Sequence, residues 1–553
     1  MRIPLKKAAF ALAFALCLSA CVKVDQRLGQ DLIDKSLLYD TYTAEFDLKD
    51  IRLAKTSDLS GYSDTRITLG AIRDDTFGLT TRSSAFTLIP AMDTLDLGQN
   101  PEPVKFDLHF AADTVSTASP DQQHILQNVY VYALTDSLSR GFAGINQTVP
   151  HGKERITRGV PVINGRDSLS FEFTEDFARR YIKAIRQLGG TDHILKSYED
   201  YAAALPGIYL ETDTPIGNGG RINLFQLSCL SVNGNGYYTR NNNVALLTVR
   251  STYGGVRKDT TFLFIPGELE FLNEASYITE QQKFPQFALN LCSHETREGP
   301  ATEQILIEGG GGLKPVISAR ELREGTLQAI RAKGGDPRKA VINKATIMMP
   351  LAPVDDFSQL DLFPSVLSPT IHRSFDGGIA TFAGLTDASA ASENQGDLDR
   401  SNLTYAPDIT YHLQEILLNE EAGEDHDIWF LNVHAEVQEE ANGAAMDEYY
   451  QQMMYANYYN YLYGNGYGYG GYGGYGGYYG GYGGYGGYGG YGYNNYYNYY
   501  NYAMLMNAMA GSGSSTTTSQ ELDRDRYYRG VLAGPASDGA RPTFRVTFSL
   551  PKD

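Results

Sequence analysis

The side chains able to do chemistry in this 553-residue chain are few and dispersed: four cysteines and nine histidines. No H-E-x-x-H, which would set two imidazoles on one helix face around zinc, occurs. His412, His426 and His434 lie closest together, with Glu424, Asp425 and Asp427 beside the middle one. These read as a solvated acidic loop rather than a metal site, and no metal or other cofactor is expected. Asp74 and Asp75 lack the spaced oxygen series of a calcium loop. Gly309–Gly312 is not followed by the Lys-Ser/Thr of a phosphate loop, so it reads as a turn or bulge where only glycine fits. There is no G-x-S-x-G elbow. A carboxylate pair for glycoside hydrolysis is not identifiable among 65 acids. No catalytic residue is assigned, and the chain is expected not to be an enzyme.

The N-terminus carries a different chemistry. Arg2, Lys6 and Lys7 precede an apolar run, Ala8 to Leu18, too short to span a bilayer comfortably. Leu18-Ser19-Ala20-Cys21 follows and resembles the bacterial lipobox, in which the signal is cut before a lipidated thiol. The alternative is an ordinary signal peptide that happens to contain a cysteine. Residues 1–20 are thus expected to be a signal peptide, and residues 21–35 a linker from lipidated Cys21. Several acyl chains give the stable attachment that one does not. Losing three cations with the signal moves the net charge from −19 to −22. Cys17 leaves with the signal, so Cys229 and Cys292 remain as thiols. An oxidising envelope permits a disulfide between them; two buried free thiols suit the sequence equally. Val22-Lys23-Val24-Asp25 lacks the aspartate directly after the cysteine that signals inner-membrane retention. The expected location is the outer membrane, at the cell surface rather than the periplasmic face.

Tyrosine is the third chemical feature. Between Tyr449 and Tyr502 stand 23 of the 40 tyrosines, and Gly-Gly-Tyr recurs through Tyr472, Tyr475, Tyr478, Tyr482, Tyr485 and Tyr488. No charged residue occurs between Glu448 and Glu521. Nothing here supplies a core, and glycine makes a fixed backbone costly in entropy. The segment 449–520 is expected to be a low-complexity loop inserted between folded stretches. As a free coil, its 54 residues from 449 to 502 would separate their ends by roughly 40 Å. Tyrosine rings stack on sugars, aromatics and one another, so these six tyrosines form a candidate binding loop. A drifted insert without function is the bland alternative.

The elements that must position these groups are mostly strands. Tyr42 to Leu48, Phe106 to Phe110, Val129 to Ala133, Leu169 to Phe173 and Phe544 to Leu550 alternate apolar with polar residues. Helical spacing appears at Phe177, Tyr181, Ile185 and Leu188 after Thr174, at Ile194 to Leu205, and at Asp408 to Leu418. It appears again after Ser318, which has capping-box spacing to Glu321. The expected fold is all-β: two antiparallel, jelly-roll-like β-sandwich domains, 36–275 and 276–553, with a few short helices. With 46 basic and 65 acidic residues, the chain is a poor partner for nucleic acid, which needs Lys and Arg to neutralise phosphate.

Five stretches read in order resemble one family. They are Ile67–Gly70 with Asp74–Gly78; Gln127–Leu134; Gly309–Gly312 with Leu313, Lys314 and Pro315; Ile342–Ala345; and the close from Gly534 to Leu550, with Arg541-Pro542 inside it. Together they are similar to the Bacteroidota lipoproteins gathered as domain of unknown function 4270. The resemblance implies a β-rich envelope lipoprotein and carries no catalytic residue across. The expected role is a non-enzymatic binding or assembly module. Its partners would be the membrane, through the lipid anchor, and other outer-membrane proteins or glycans. A glycan-binding surface protein and an envelope-polymer hydrolase are the alternatives.

Overall fold

The computed structural model describes residues 38–552 except 64–65, 91–93, 114–116, 119–125, 139–142, 190–197, 228–229, 233–237, 241–242, 268–287, 375–379, 386, 388–393, 420–422, 440–515 and 523–524. The signal peptide, Cys21 with its linker, Cys229 and the six repeat tyrosines lie outside the described residues.

The fold is all-β, built from several antiparallel sheets with short helices between them. The alternation read from the sequence produces strands at Tyr39–Asp47, Gln99–Phe110, Gln127–Leu134, Leu169–Glu172 and Thr543–Pro551. Helix Glu175–Gln187 begins at Thr174, whose Oγ1 accepts from Phe177 N at 3.3 Å. It buries Phe177, Tyr181, Ile182 and Ile185. Its rings meet Phe106, which touches Phe173, Phe177, Tyr181 and Phe264 at centroid distances of 4.6 to 6.0 Å. This aromatic cluster sits in a core running from Ile67 to Ala288.

A second core runs from Leu48 through Leu550. It packs helices Ala319–Ala332 and Thr410–Leu418 among strands of both halves of the chain. Ser318 precedes the first of these helices but makes no side-chain cap. Asp427 Oδ1 accepts from Ala319 N at 2.9 Å instead. Glu321 accepts from Lys49 N and Asp50 N, tying the helix to the N-terminal segment rather than closing a capping box.

Strand pairing redraws the division at residue 275. Tyr39–Asp47 pairs along its whole length with Thr543–Pro551, and Ile51–Lys55 pairs with Leu313–Ile317. The N-terminal strands therefore belong to the second core. Conversely, Ala288–His294 pairs with Gly78–Phe86 in a sheet of the first core. Non-local pairing put these segments where their sequence neighbours are not.

The expected loop 449–520 also changes. Thr516–Leu522 is a strand pairing with Ile428–Glu439, from Glu439↔Thr516 to Val433↔Leu522. The chain thus leaves after residue 439 and returns before 516 at a single point. Partners in such a ladder have Cα atoms roughly 5 Å apart, far short of the free-coil separation.

Candidate functional site: a thiol, imidazole and carboxylate at the junction of the cores

Period-two geometry places Asn290, Cys292 and His294 on one face of the strand Ala288–His294, with Leu289 and Leu291 on the other. Directly opposite on Gly78–Phe86 stand Ser84, Arg82 and Thr80. An antiparallel sheet commonly turns such a polar stripe to water. Here every one of these six residues is buried: Asp525 meets Asn290, and a loop of the second core packs on Arg82 and His294.

That loop joins Gln304–Glu308 to Leu313–Ile317 through Gly309–Gly312. Gly310 has φ +57, and a Cβ there would lie 2.4 Å from Arg82 Nη1. A Cβ on Gly311 would lie 2.1 Å from Asn146 Oδ1. The glycine run is a tight turn pressed against the first core, as its uniformity suggests. Lys314, 1% exposed, threads back beneath it. Its Nζ donates to the carbonyls of Glu308, Gly310 (3.1 Å) and Gly312 (3.2 Å). Asn432 Nδ2 donates to the same Glu308 carbonyl at 3.0 Å. Thr56 Oγ1 and Asn146 Nδ2 donate to the carbonyls of Gly310 and Gly311.

The Glu308 side chain completes a relay. Cys292 Sγ lies 2.6 Å from His294 Nε2, and His294 Nδ1 donates to Glu308 Oε1 at 2.9 Å. Glu308 Oε2 accepts from Thr296 Oγ1 at 2.6 Å and Leu313 N at 3.0 Å. Thr80 Oγ1 sits 3.3 Å from His294 Nδ1. The first core supplies thiol and imidazole, and the second supplies the carboxylate that orients the ring.

The electrostatics follow from this packing. Burial alone pushes the Cys292 thiol up, but the Arg82 guanidinium and then His294 outweigh it and bring it to about 7. Burial pulls His294 down, yet Cys292 and Glu308 together raise it above its ordinary value. Burial opposes the Glu308 carboxylate as well, and its bond with His294 holds it at about 2. Burial brings the Lys314 amine down to about 7, against the attraction of Glu308.

Nucleophile, base and orienting carboxylate stand in the order that activates a thiol. Leu59 and Ile145 pack against Cys292, which is 5% exposed. The site is sealed against a polymer. A groove of about 470 Å³ on the outer face of the first core is lined instead by Pro101, Pro103 and helix residues including Arg179, Lys183 and Arg186.

Cys292 is a free, buried thiol engaged by His294, while Cys229 is not among the described residues. His412 is buried, and its Nε2 donates to the His426 carbonyl at 2.9 Å, their rings 6.4 Å apart. The side chain of His434 is outside the described residues. Asp427 is buried against Arg52 and the helix at Ala319 rather than solvated. Among the described residues no three His, Cys, Asp or Glu side chains are grouped to hold a metal ion. Asp74 caps its own turn through Thr76 N and Phe77 N and pairs with Arg529.

The sequence signal for the relay is the alternation Leu289-Asn290-Leu291-Cys292, which Ser293 breaks on the apolar face before His294. Its polar positions look like a wet face. Segments contributed from elsewhere in the chain, the glycine loop, Asp525, Leu59 and Ile145 among them, make them interior. Comparison of the chain with family models, with curated proteins and with solved structures finds no match.

Proposed function

We propose that the chain is an outer-membrane lipoprotein, anchored through Cys21 and facing the cell surface. Its β-rich body, two cores with jelly-roll-like sandwich packing, serves as a non-enzymatic binding or assembly module. The order of cations, apolar run, small residues and cysteine supports the anchor, and the resemblance to the Bacteroidota lipoproteins agrees with it.

The observation that carries the binding role is the root of the tyrosine-rich excursion. Its outgoing strand passes the junction at Asn432, and its returning chain re-enters there. Asp525 accepts from Ser63 Oγ at 2.7 Å and from Asn290 Nδ2 at 2.9 Å. Tyr528 O accepts from Gly309 N at 2.7 Å. A sequence able to stack on rings of any kind is thus held at both ends by strands that run into the junction of the two cores. A pull-down from solubilised outer membranes, with and without residues 449–502, tests the reading. A partner captured by the full chain and lost on deletion supports it; identical captures overturn it.

A glycan-binding reading has its own support. The His151 ring stacks on Tyr209 at 4.4 Å and lies tilted against Tyr132 at 5.1 Å, with His151 exposed at the edge of its sheet. Stacked rings offer sugars an apolar face. A glycan array silent for both the full chain and a Tyr132→Ala/Tyr209→Ala variant sinks it. A hydrolase reading has the relay for its nucleophile, but burial opposes it, and an envelope-polymer panel left intact disposes of it.

A further inference from the structure

We propose that Cys292 is a modification site for small hydroperoxides, its thiolate taking one oxygen atom while His294 returns a proton to the departing one. The inference is independent of how the chain is anchored and of what the tyrosine-rich excursion binds.

Three features of the geometry point there. The thiol, imidazole and carboxylate form an unbroken chain, Sγ to Nε2 at 2.6 Å and Nδ1 to Oε1 at 2.9 Å. A thiolate and imidazolium pair is the reactive form of cysteine, and Glu308 fixes the ring with Nε2 toward sulfur. Arg82 stands directly opposite Cys292 across the ladder, where its cation favours negative charge on the attacking sulfur. Finally, Asn432 Oδ1, on a residue 1% exposed, makes no hydrogen bond in the same junction. A small polar molecule entering the junction finds an open acceptor there.

The cover sets the substrate class. Leu59 and Ile145 close over Cys292, and Cys292 N donates to Ile145 O at 2.8 Å. A molecule little larger than water can reach sulfur through local opening of this cover. A bulky organic hydroperoxide or a substrate chain cannot.

The step balances. The thiolate sulfur attacks one peroxide oxygen, the S–O bond forms and the O–O bond breaks. Sulfur is oxidised by two electrons to the sulfenic acid and the peroxide is reduced. The His294 imidazolium gives its Nε2 proton to the leaving hydroxide, so the products are Cys292–SOH, neutral His294 and water.

The test treats the folded full chain with hydrogen peroxide at pH 7, traps sulfenic acid with dimedone, and maps the adduct by peptide mass spectrometry. The adduct is expected on Cys292, formed faster than on a free cysteine, and slowed about tenfold or more by His294→Gln. Cumene hydroperoxide should leave Cys292 intact. Because His294→Gln can disturb folding, thiolate absorbance at 240 nm, taken as the difference between the unmodified chain and Cys292→Ser, provides a second measurement. It should show Cys292 ionising near pH 7. An unlabelled Cys292 in the folded chain overturns the proposal. So does an equal rate in a folded His294→Gln variant, or an absorbance midpoint at the ordinary thiol value.

Discussion

Glu439 and Thr516 are partners in an antiparallel ladder although 76 residues lie between them. The excursion is therefore closed at its base by main-chain hydrogen bonds of the flanking strands.

This makes its removal favourable to the fold. Replacing residues 440–515 with a four-residue turn shortens the closed loop and should raise stability by about 2–3 kcal/mol from closure entropy alone. Urea unfolding of the two proteins measures it. A clear loss of stability on removal would show that the excursion packs on the body.

Lys314 tests the junction. Its amine is the shared donor to three carbonyls and is 1% exposed. Lys314→Met keeps the aliphatic stem but takes the donor from the Gly312 carbonyl, and it leaves the Glu308 and Gly310 carbonyls with only Asn432 and Thr56; it should cost about 2 kcal/mol or more. Lys344, 59% exposed beside Asp408, should cost under about 1 kcal/mol when changed to Met. Denaturant midpoints of the two variants make the comparison; equal losses would refute the keystone role of Lys314.

Two glycines separate backbone strain from crowding. Gly254 and Gly310 have nearly the same φ, +55 and +57. Nothing lies within 4 Å of a Cβ on Gly254, whereas one on Gly310 meets the Arg82 guanidinium. Gly254→Ala should cost about 1–2 kcal/mol, the left-handed strain alone. Gly310→Ala should cost more, by the displacement of Arg82. Thermal unfolding of both variants measures the difference, and equal shifts in Tm would mean the junction yields freely.

Acid should weaken the junction progressively, with Glu308 itself protonating only below the range of ordinary carboxylates. The folded-state value of Glu308 is depressed to about 2 from an ordinary 4.5. A depressed carboxylate contributes stability that is present above the unfolded value and is lost as pH falls through the folded one. Stability should therefore decline between about pH 4.5 and 2. Glu308→Gln should be less stable at neutral pH and flatter across that window, as read by urea unfolding at stepped pH. A slope unchanged by the substitution would assign the acid loss to other carboxylates.

The sequence by itself determined most of the local structure. Alternation at Phe106–Phe110 and Phe544–Leu550 names strands because one face of each must leave water, and Phe177, Tyr181 and Ile185 name a helix by the same reasoning. The glycine run announced a place where side chains cannot go. Partner choice was not legible. Tyr39–Asp47 has no local signal that its partner is Thr543–Pro551, because hydrogen bonds between strands are identical for every sequence. Glu321 and Asp427 likewise satisfy backbone groups remote in the chain, where local spacing suggested a capping box and a wet loop. The junction is the extreme case. Cys292, His294 and Glu308 become a relay only when two cores close over a polar stripe, and burial, which gives the thiol its character, belongs to the tertiary structure alone.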